Sequence, residues 1–199
     1  MEIFNPEYLI QYGGLALLLA IIFAETGLFF GVFLPGDSLL FTAGLLTKTR
    51  YLEHHVMWLI VMLIVAAVCG TCVGYFFGRW SKHYIVRAKD NFLFKKKYLD
   101  MAQSFYARFG LISFIAGRFL PIFRTFVPIL AGVINIRFSS FLFFNVVGAV
   151  LWITTMVMSG HVLGGLFPEI LNYIEIVIVA IVLVTTLPVI FSYLKKLKS

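Results

Sequence analysis

Two arginines, Arg118 and Arg124, lie close together inside an apolar stretch of the chain and are the first candidates for chemistry. An arginine near the centre of a bilayer costs roughly 2.5 to 3.5 kcal/mol to insert. Its planar guanidinium presents N–H donors in a fork that matches the oxygens of phosphate and carboxylate groups. Two such side chains in one apolar stretch therefore predict a buried site that pairs with acids or binds a phosphate.

Two acids supply the opposite charge earlier in the chain. Glu25 interrupts an apolar run that covers residues 15–34, and Asp37 follows Pro35 and Gly36. Paired buried charges offset the desolvation that each would suffer alone. One interpretation is that the four charges form salt bridges that only hold segments together. The other is that a lipid phosphate takes the arginines, so that the carboxylates lose their partners and bind protons.

The two segments that carry these charges resemble each other. In each one, Phe-Leu-Pro is followed by a charged residue and by an apolar arm that ends in Ala-Gly. Proline inside a helix costs roughly 3 kcal/mol, and the arm 38–46 is too short to cross a bilayer. Broken segments in corresponding halves of a membrane protein indicate a transporter site. We therefore expect two re-entrant hairpins, at about residues 15–46 and 111–136, with turns at Pro35, Gly36, Pro121 and Pro128.

The composition places these segments in a membrane. Of the 199 residues, 61% are hydrophobic and 13% are charged, whereas about a quarter of the residues of a soluble domain are charged. Three further runs, 56–78, 138–160 and 171–194, are long enough to span a bilayer. The length suits a single membrane domain over residues 1–199.

Two of the remaining segments have a pattern of their own. The span 56–78 has small residues at every fourth position, which lets another helix approach closely: Ala66, Gly70, Gly74 and Gly78. Residues 82–108 place apolar side chains at helical spacing opposite basic ones, which predicts a cytoplasmic amphipathic helix or a solvated connector. The predicted fold class is thus an all-α polytopic membrane protein. It has two inverted re-entrant helical hairpins, about three transmembrane helices and a cytoplasmic amphipathic helix.

The basic residues predict the orientation. The net charge is +7, and most lysines and arginines lie in the segment 79–108 or in the tail 195–198. Positive residues in short loops mark the cytoplasmic side. The expected protein is therefore a multi-pass protein of the cell (inner, cytoplasmic) membrane with its C-terminus in the cytoplasm, and its two hairpins open to opposite sides. Nucleic acid is not an expected partner, because the basic residues flank spans instead of forming one face.

Other chemistries find little support in the sequence. None of the four histidines has the spacing of a metal site, and Thr125 has no general base in its motif. Cys69 and Cys72 form a Cys-x-x-Cys, but they lie inside the apolar span 56–78 and are interpreted as packing residues, with redox chemistry as the alternative. We expect no metal, no cofactor and no enzymatic activity.

The charged residues belong to longer motifs, which are Glu25, Phe33-Leu34-Pro35-Gly36-Asp37, Gly74-Tyr75-x-x-Gly78-Arg79 and Gly117-Arg118-Phe119-x-Pro121-x-x-Arg124-Thr125-x-x-Pro128-x-x-Ala131-Gly132. These motifs resemble those of the DedA family, whose domain is also called the VTT or SNARE-associated domain. Where family members carry a further glycine after the Gly-Tyr motif, this chain has Ser81 and Lys82.

The resemblance implies a transporter that maintains the envelope, often coupled to the proton-motive force. Some similar proteins are flippases that recycle undecaprenyl phosphate, and eukaryotic relatives scramble phospholipids. By the same resemblance, the family's functional charges correspond to Glu25, Asp37, Arg118 and Arg124.

We therefore predict a proton-coupled flippase for a phosphate-bearing lipid such as undecaprenyl phosphate. Arg118 and Arg124 are expected to bind the phosphate headgroup, and Glu25 and Asp37 to carry the coupled proton. The expected partners are an anionic lipid, protons and the surrounding membrane lipids, and the oligomeric state is left open. The alternatives are a proton-coupled transporter of small cations or drugs, and a phospholipid scramblase.

Overall fold

The computed structural model describes residues 6–28, 34, 36–47, 56–81, 103–104 and 106–166, with side chains from residue 14 onward except those of residues 121 and 122. The predicted span 171–194, the basic tail, Pro35 and most of the predicted amphipathic segment 82–108 lie outside the described residues. Regular structure within the described ranges is helical. The helices are α1 (Pro6–Gly27), α2 (Gly36–Leu46), α3 (Val56–Trp80), α4 (Ser113–Ala116), α5 (Pro121–Val133) and α6 (Phe138–Leu166).

Two of the described helices, α3 and α6, are long and apolar enough to cross a membrane. They contain 25 and 29 residues, and at about 1.5 Å per residue each is longer than a hydrocarbon core of roughly 30 Å. Both predicted spans are confirmed as helices. Each continues past its predicted end, to Trp80 instead of residue 78 and to Leu166 instead of residue 160.

The first broken segment contains two shorter helices. α1 starts at Pro6 and kinks at Gly14, which has a φ of 60° and a ψ of −165°. This conformation favours glycine because a Cβ would be strained there. α2 starts at Gly36, so this residue begins a helix instead of forming the predicted turn, and Asp37 belongs to the first helical turn. A carboxylate in a first turn is stabilised by the positive end of the helix dipole.

The second broken segment is interrupted where the sequence predicts a break. Two 3-10 turns, Gly110–Ile112 and Gly117–Phe119, flank α4, and Leu120 is extended with a φ of −118° and a ψ of 113°. Pro121 then opens α5. A proline disfavours helical backbone at the residue before it and suits the first position of a helix. Pro128, in contrast, lies inside α5 and makes no turn, since the helix continues to Val133. The arrangement of the two broken segments as facing re-entrant hairpins remains a prediction.

The described chain divides into two compact units. The first unit contains residues 6–18, 36–47, 56 and 156–166, and the second unit contains residues 19–28, 34, 57–81, 103–104 and 106–155. In the first unit, α2 and the last turns of α6 approach so closely that a Cβ on Gly44 would clash with the carbonyl of Val157. A hydrogen bond of 2.6 Å also joins Thr47 Oγ1 to His161 Nδ1.

The second unit is organised around the small-residue face of α3. A Cβ on Gly27 of α1 would come within 2.6 Å of the carbonyl oxygen of Gly70, and one on Gly78 would clash with the carbonyl of Ile129 in α5. The prediction that this face admits close helix neighbours is therefore confirmed. Because α3 packs directly against the backbones of α1 and α5, it brings the acidic end of α1 and the arginines of the second broken segment into one unit.

Candidate functional site

Three of the four predicted charges lie in the second unit. Arg118 is in the 3-10 turn before α5, Arg124 is near the start of α5 and Glu25 is near the end of α1. Their exposed fractions are 3%, 4% and 0%. Asp37 lies in the first unit and is partly buried. Charged side chains are almost never fully buried unless they are paired, so the partners of the three buried ones define the chemistry of the site.

Arg124 forms an ion pair with Glu25. Its Nη2 donates a hydrogen bond to Glu25 Oε1. The guanidinium also lies over the indole ring of Trp152, with 4.7 Å between the guanidinium carbon and the ring centroid. Trp152 is 0% exposed, and a desolvated cation–π contact contributes about 2 kcal/mol. One carboxylate and one aromatic ring therefore hold Arg124 in place.

Arg118 is held by neutral side chains. Its Nη2 donates to Asn145 Oδ1 and lies 3.4 Å from Thr71 Oγ1. Asn145 Nδ2 in turn donates to Thr71 Oγ1 over 2.7 Å. The other two guanidinium nitrogens of Arg118, Nε and Nη1, are buried and have no hydrogen-bond partner among the residues that the structure describes.

Arg118 and Arg124 have different partners within the second unit. Glu25 is the one acidic residue in the described part of the second unit. Arg124 takes this carboxylate, and Arg118 contacts an amide instead. Within its own unit, Arg118 therefore has no carboxylate partner among the described residues, and the two guanidinium groups have different electrostatic surroundings.

The two arginines line a small cavity together with three neutral polar side chains, Thr71, Ser113 and Asn145. Ser113 is 0% exposed, and its Oγ has no hydrogen-bond partner within the described ranges. The cavity volume is about 10 Å³, which is roughly the space that one water molecule needs. Apolar side chains complete its lining, and in this conformation the cavity is too small for a phosphate group.

One face of α6 positions Arg118. Asn145, Gly148 and Trp152 recur at helical spacing, so they share this face. A Cβ on Gly148 would lie 3.0 Å from Arg118 Cδ and 3.0 Å from the carbonyl oxygen of Phe114. The absence of a side chain at this position therefore lets α6 approach the backbone of α4 and the aliphatic part of Arg118.

Sequence reasoning missed Thr71, Ser113 and Asn145 as members of the site. The available signal was a polar side chain inside an otherwise apolar helix, because such residues in membrane segments usually face the protein interior. Asn145 carries this signal most clearly, in the middle of the predicted span 138–160.

Of the two cysteines, Cys72 packs against the aromatic cluster around Tyr75, and Cys69 is exposed.

Comparisons with known proteins place most of this site in a recognised domain. The chain matches the VTT domain family over residues 34–162. It is 35% identical over 190 residues to the protein DedA of Escherichia coli K12, which covers 94% of this chain and 86% of that protein. It is 36% identical over 197 residues to an uncharacterized membrane protein of Mycobacterium tuberculosis H37Rv, over 96% of this chain and 86% of that protein. It is also 36% identical over 149 residues to the inner membrane protein YghB of Salmonella typhimurium LT2, over 74% of this chain and 66% of that protein. No solved structure matches the chain.

Proposed function

This chain belongs to the DedA family of membrane proteins, and from that premise we propose that it is a proton-coupled flippase for a phosphate-bearing lipid. A polyprenyl phosphate such as undecaprenyl phosphate is the substrate class that we favour, in support of envelope maintenance. In this proposal Arg118 and Arg124 bind the headgroup, Glu25 and Asp37 carry the coupled proton, and the protein transports its substrate without chemical conversion.

One observation carries the proposal, namely two fully buried guanidinium groups in a unit whose described part contains a single carboxylate. A buried charge without a counter-charge costs several kcal/mol. A phosphate monoester brings up to two negative charges and three oxygen acceptors, and it can engage an arginine through two parallel hydrogen bonds. An anionic headgroup is therefore the ligand that best complements this excess positive charge.

The pairing of Arg124 with Glu25 supplies a route to proton coupling. When a phosphate oxygen takes the Nη2 donor of Arg124, Glu25 loses the cation that stabilises its ionised form. A carboxylate that is 0% exposed and no longer beside its cation binds a proton. Headgroup and proton then occupy the site together and leave it together, which is symport.

The size of the cavity requires a change of conformation during transport. A volume of about 10 Å³ admits no phosphate, so the site has to open before the headgroup enters. We propose that the described conformation is a closed one between transport events. The lipid tail stays in the bilayer, and the headgroup alone enters the site.

A transporter of small cations or drugs is less well supported by the geometry. In that alternative, Glu25 would bind the transported cation directly. Glu25 already contacts Arg124, so a cation would have to compete with a permanently charged guanidinium while Arg118 repels it. A scramblase, the other alternative, would move phospholipids down their gradients and would need no proton-carrying acid.

The three alternatives are separated in liposomes that contain this protein alone. The assay measures the transbilayer movement of a polyprenyl monophosphate, of a labelled phosphatidylcholine and of a small organic cation, each with and without an imposed pH gradient. We expect gradient-dependent movement of the monophosphate only. Gradient-independent movement of phosphatidylcholine would support the scramblase, and cation movement without lipid movement would contradict the flippase proposal.

A further inference from the structure

We infer that the two arginines act in sequence: Arg118, with Ser113 as a second ligand, makes the first contact with the anion, and Asn145 is the positioning residue that holds Arg118 without neutralising it. This inference rests on the proposed function and assigns an order and two further residues to its site.

The different partners of the two arginines are the first step of the argument. Arg124 donates to a carboxylate, so an incoming anion must displace a negative charge to reach its Nη2. Arg118 donates to the neutral amide of Asn145, so its positive charge is not neutralised by that partner. Binding of an anion at Arg118 therefore needs no proton, whereas binding at Arg124 requires the protonation of Glu25.

The orientation of Asn145 is set by its neighbours. An arginine side chain has only donors, so the Asn145 atom that faces it must be the carbonyl oxygen Oδ1. The Nδ2 group of Asn145 then donates to Thr71 Oγ1 over 2.7 Å. The Thr71 hydroxyl has the carbonyl oxygen of Ala67 as an acceptor at 2.9 Å. A fixed chain of donors and acceptors thus holds Arg118 Nη2 on the amide side.

Ser113 and Arg118 leave hydrogen-bonding capacity in the same cavity. Ser113 Oγ and the Nε and Nη1 atoms of Arg118 are all buried, and no described residue accepts or donates a hydrogen bond to them. Both side chains line the cavity. Because buried polar groups are normally hydrogen-bonded, these three donors can engage an acceptor that enters when the site opens. A phosphate oxygen is an acceptor that all three donors can use.

The test uses the full-length protein in nanodiscs of dioleoylphosphatidylcholine and two probes, farnesyl phosphate and inorganic phosphate. In Asn145→Asp, a carboxylate of nearly the same shape faces Arg118 and neutralises its charge, so the anion is attracted less strongly and is repelled by the new carboxylate. We expect the affinity for farnesyl phosphate at pH 8 to fall by roughly 10- to 100-fold, since hydrogen bonds to charged groups are worth about 1.5–3 kcal/mol. The loss should shrink at pH 5.5. The matched control, Asn135→Asp, makes the same change at an exposed residue and should bind like the parent.

Ser113→Ala tests the second ligand without adding a charge. We expect its affinity to fall by roughly 2- to 10-fold at both pH values, as for one lost hydrogen bond. Ser139→Ala, at an exposed position at the start of α6, should bind like the parent. Ser113→Ala only removes a hydroxyl, so it still tests the proposed anion site if Asn145→Asp does not fold.

The outcomes separate this inference from the proposed function. If the parent binds neither probe, the proposed function fails and the inference fails with it. If the parent binds farnesyl phosphate and both Asn145→Asp and Ser113→Ala keep its affinity and pH profile, the inference is wrong and the proposed function stands. A less stable Asn145→Asp with an unchanged pH profile would make Asn145 purely structural, which also overturns the inference. Binding of inorganic phosphate alone would support the anion site and contradict a lipid substrate.

Discussion

Replacement of Arg124 by lysine separates the charge of the site from its geometry. The variant keeps a positive charge beside Glu25, so the buried pair and the net charge persist. A lysine ammonium is a compact point charge and lacks the planar fork that binds two phosphate oxygens in parallel. The variant also loses the guanidinium that lies 4.7 Å from the centroid of the Trp152 ring.

The size of the effect follows from these two losses. One hydrogen bond to a charged group is worth about 1.5–3 kcal/mol. A lysine ammonium keeps part of the cation–π attraction to Trp152, so the weaker aromatic contact adds about 0.5–1 kcal/mol. Together they weaken headgroup binding in the transport-competent state by roughly 2–4 kcal/mol, which corresponds to a roughly 30- to 700-fold loss of affinity.

The assay measures the initial rate of polyprenyl monophosphate translocation in liposomes at several mole fractions of the lipid. We expect Arg124→Lys and Arg118→Lys to be strongly impaired at low mole fractions. The matched control is Arg137→Lys at an exposed position, which should transport like the parent at equal protein abundance. Full activity of both buried variants would refute the phosphate site, because the arginines would then only hold their neighbours in place, Arg124 through its ion pair and Arg118 through Asn145.

Two further predictions concern packing in α3 and the cysteines. Gly78→Ala should lower the free energy of unfolding by roughly 1–3 kcal/mol, because the new Cβ clashes with the carbonyl of Ile129. The loss is measured as a lower thermal unfolding temperature in detergent. Gly74→Ala, one turn earlier, finds its nearest atom at 3.6 Å and should be neutral or stabilising; equal effects in both variants would contradict the close contact of α3 and α5. Replacement of Cys69 and Cys72 by alanine together should leave transport within a few-fold of the parent, and complete loss at normal membrane abundance would revive the redox interpretation.

The sequence predicted the elements of this protein better than their ends. The cost of proline and arginine in apolar segments correctly indicated a break before Pro121. Pro128 was misinterpreted as a turn, because a single proline removes only the hydrogen bond of its own missing N–H and a packed helix tolerates that loss. Gly36 was likewise expected in a turn, although it begins α2, where the following acid, Asp37, suits the first helical turn.

The chemistry of the site was predictable in part. A buried charge needs a partner, and this requirement alone indicated that Glu25 meets an arginine. Which arginine it meets depends on how α1, α3 and α5 pack, and local sequence patterns carry no such information. The neutral partner of Arg118 was missed for the same reason, since α6 carries several polar residues and their spacing does not indicate that Asn145 is the one that meets an arginine.

Proton coupling through Glu25 is the central claim, and Glu25→Gln tests it most directly. Glutamine keeps an oxygen that can accept from Arg124 Nη2 but cannot gain or lose a proton. The measurement is the rate of polyprenyl monophosphate translocation in liposomes with and without an imposed pH gradient, for parent and variant at equal abundance. We predict that Glu25→Gln still binds the lipid phosphate, at least as tightly as the parent, and that its translocation no longer responds to the gradient. A variant that translocates with the same gradient dependence as the parent would contradict the account.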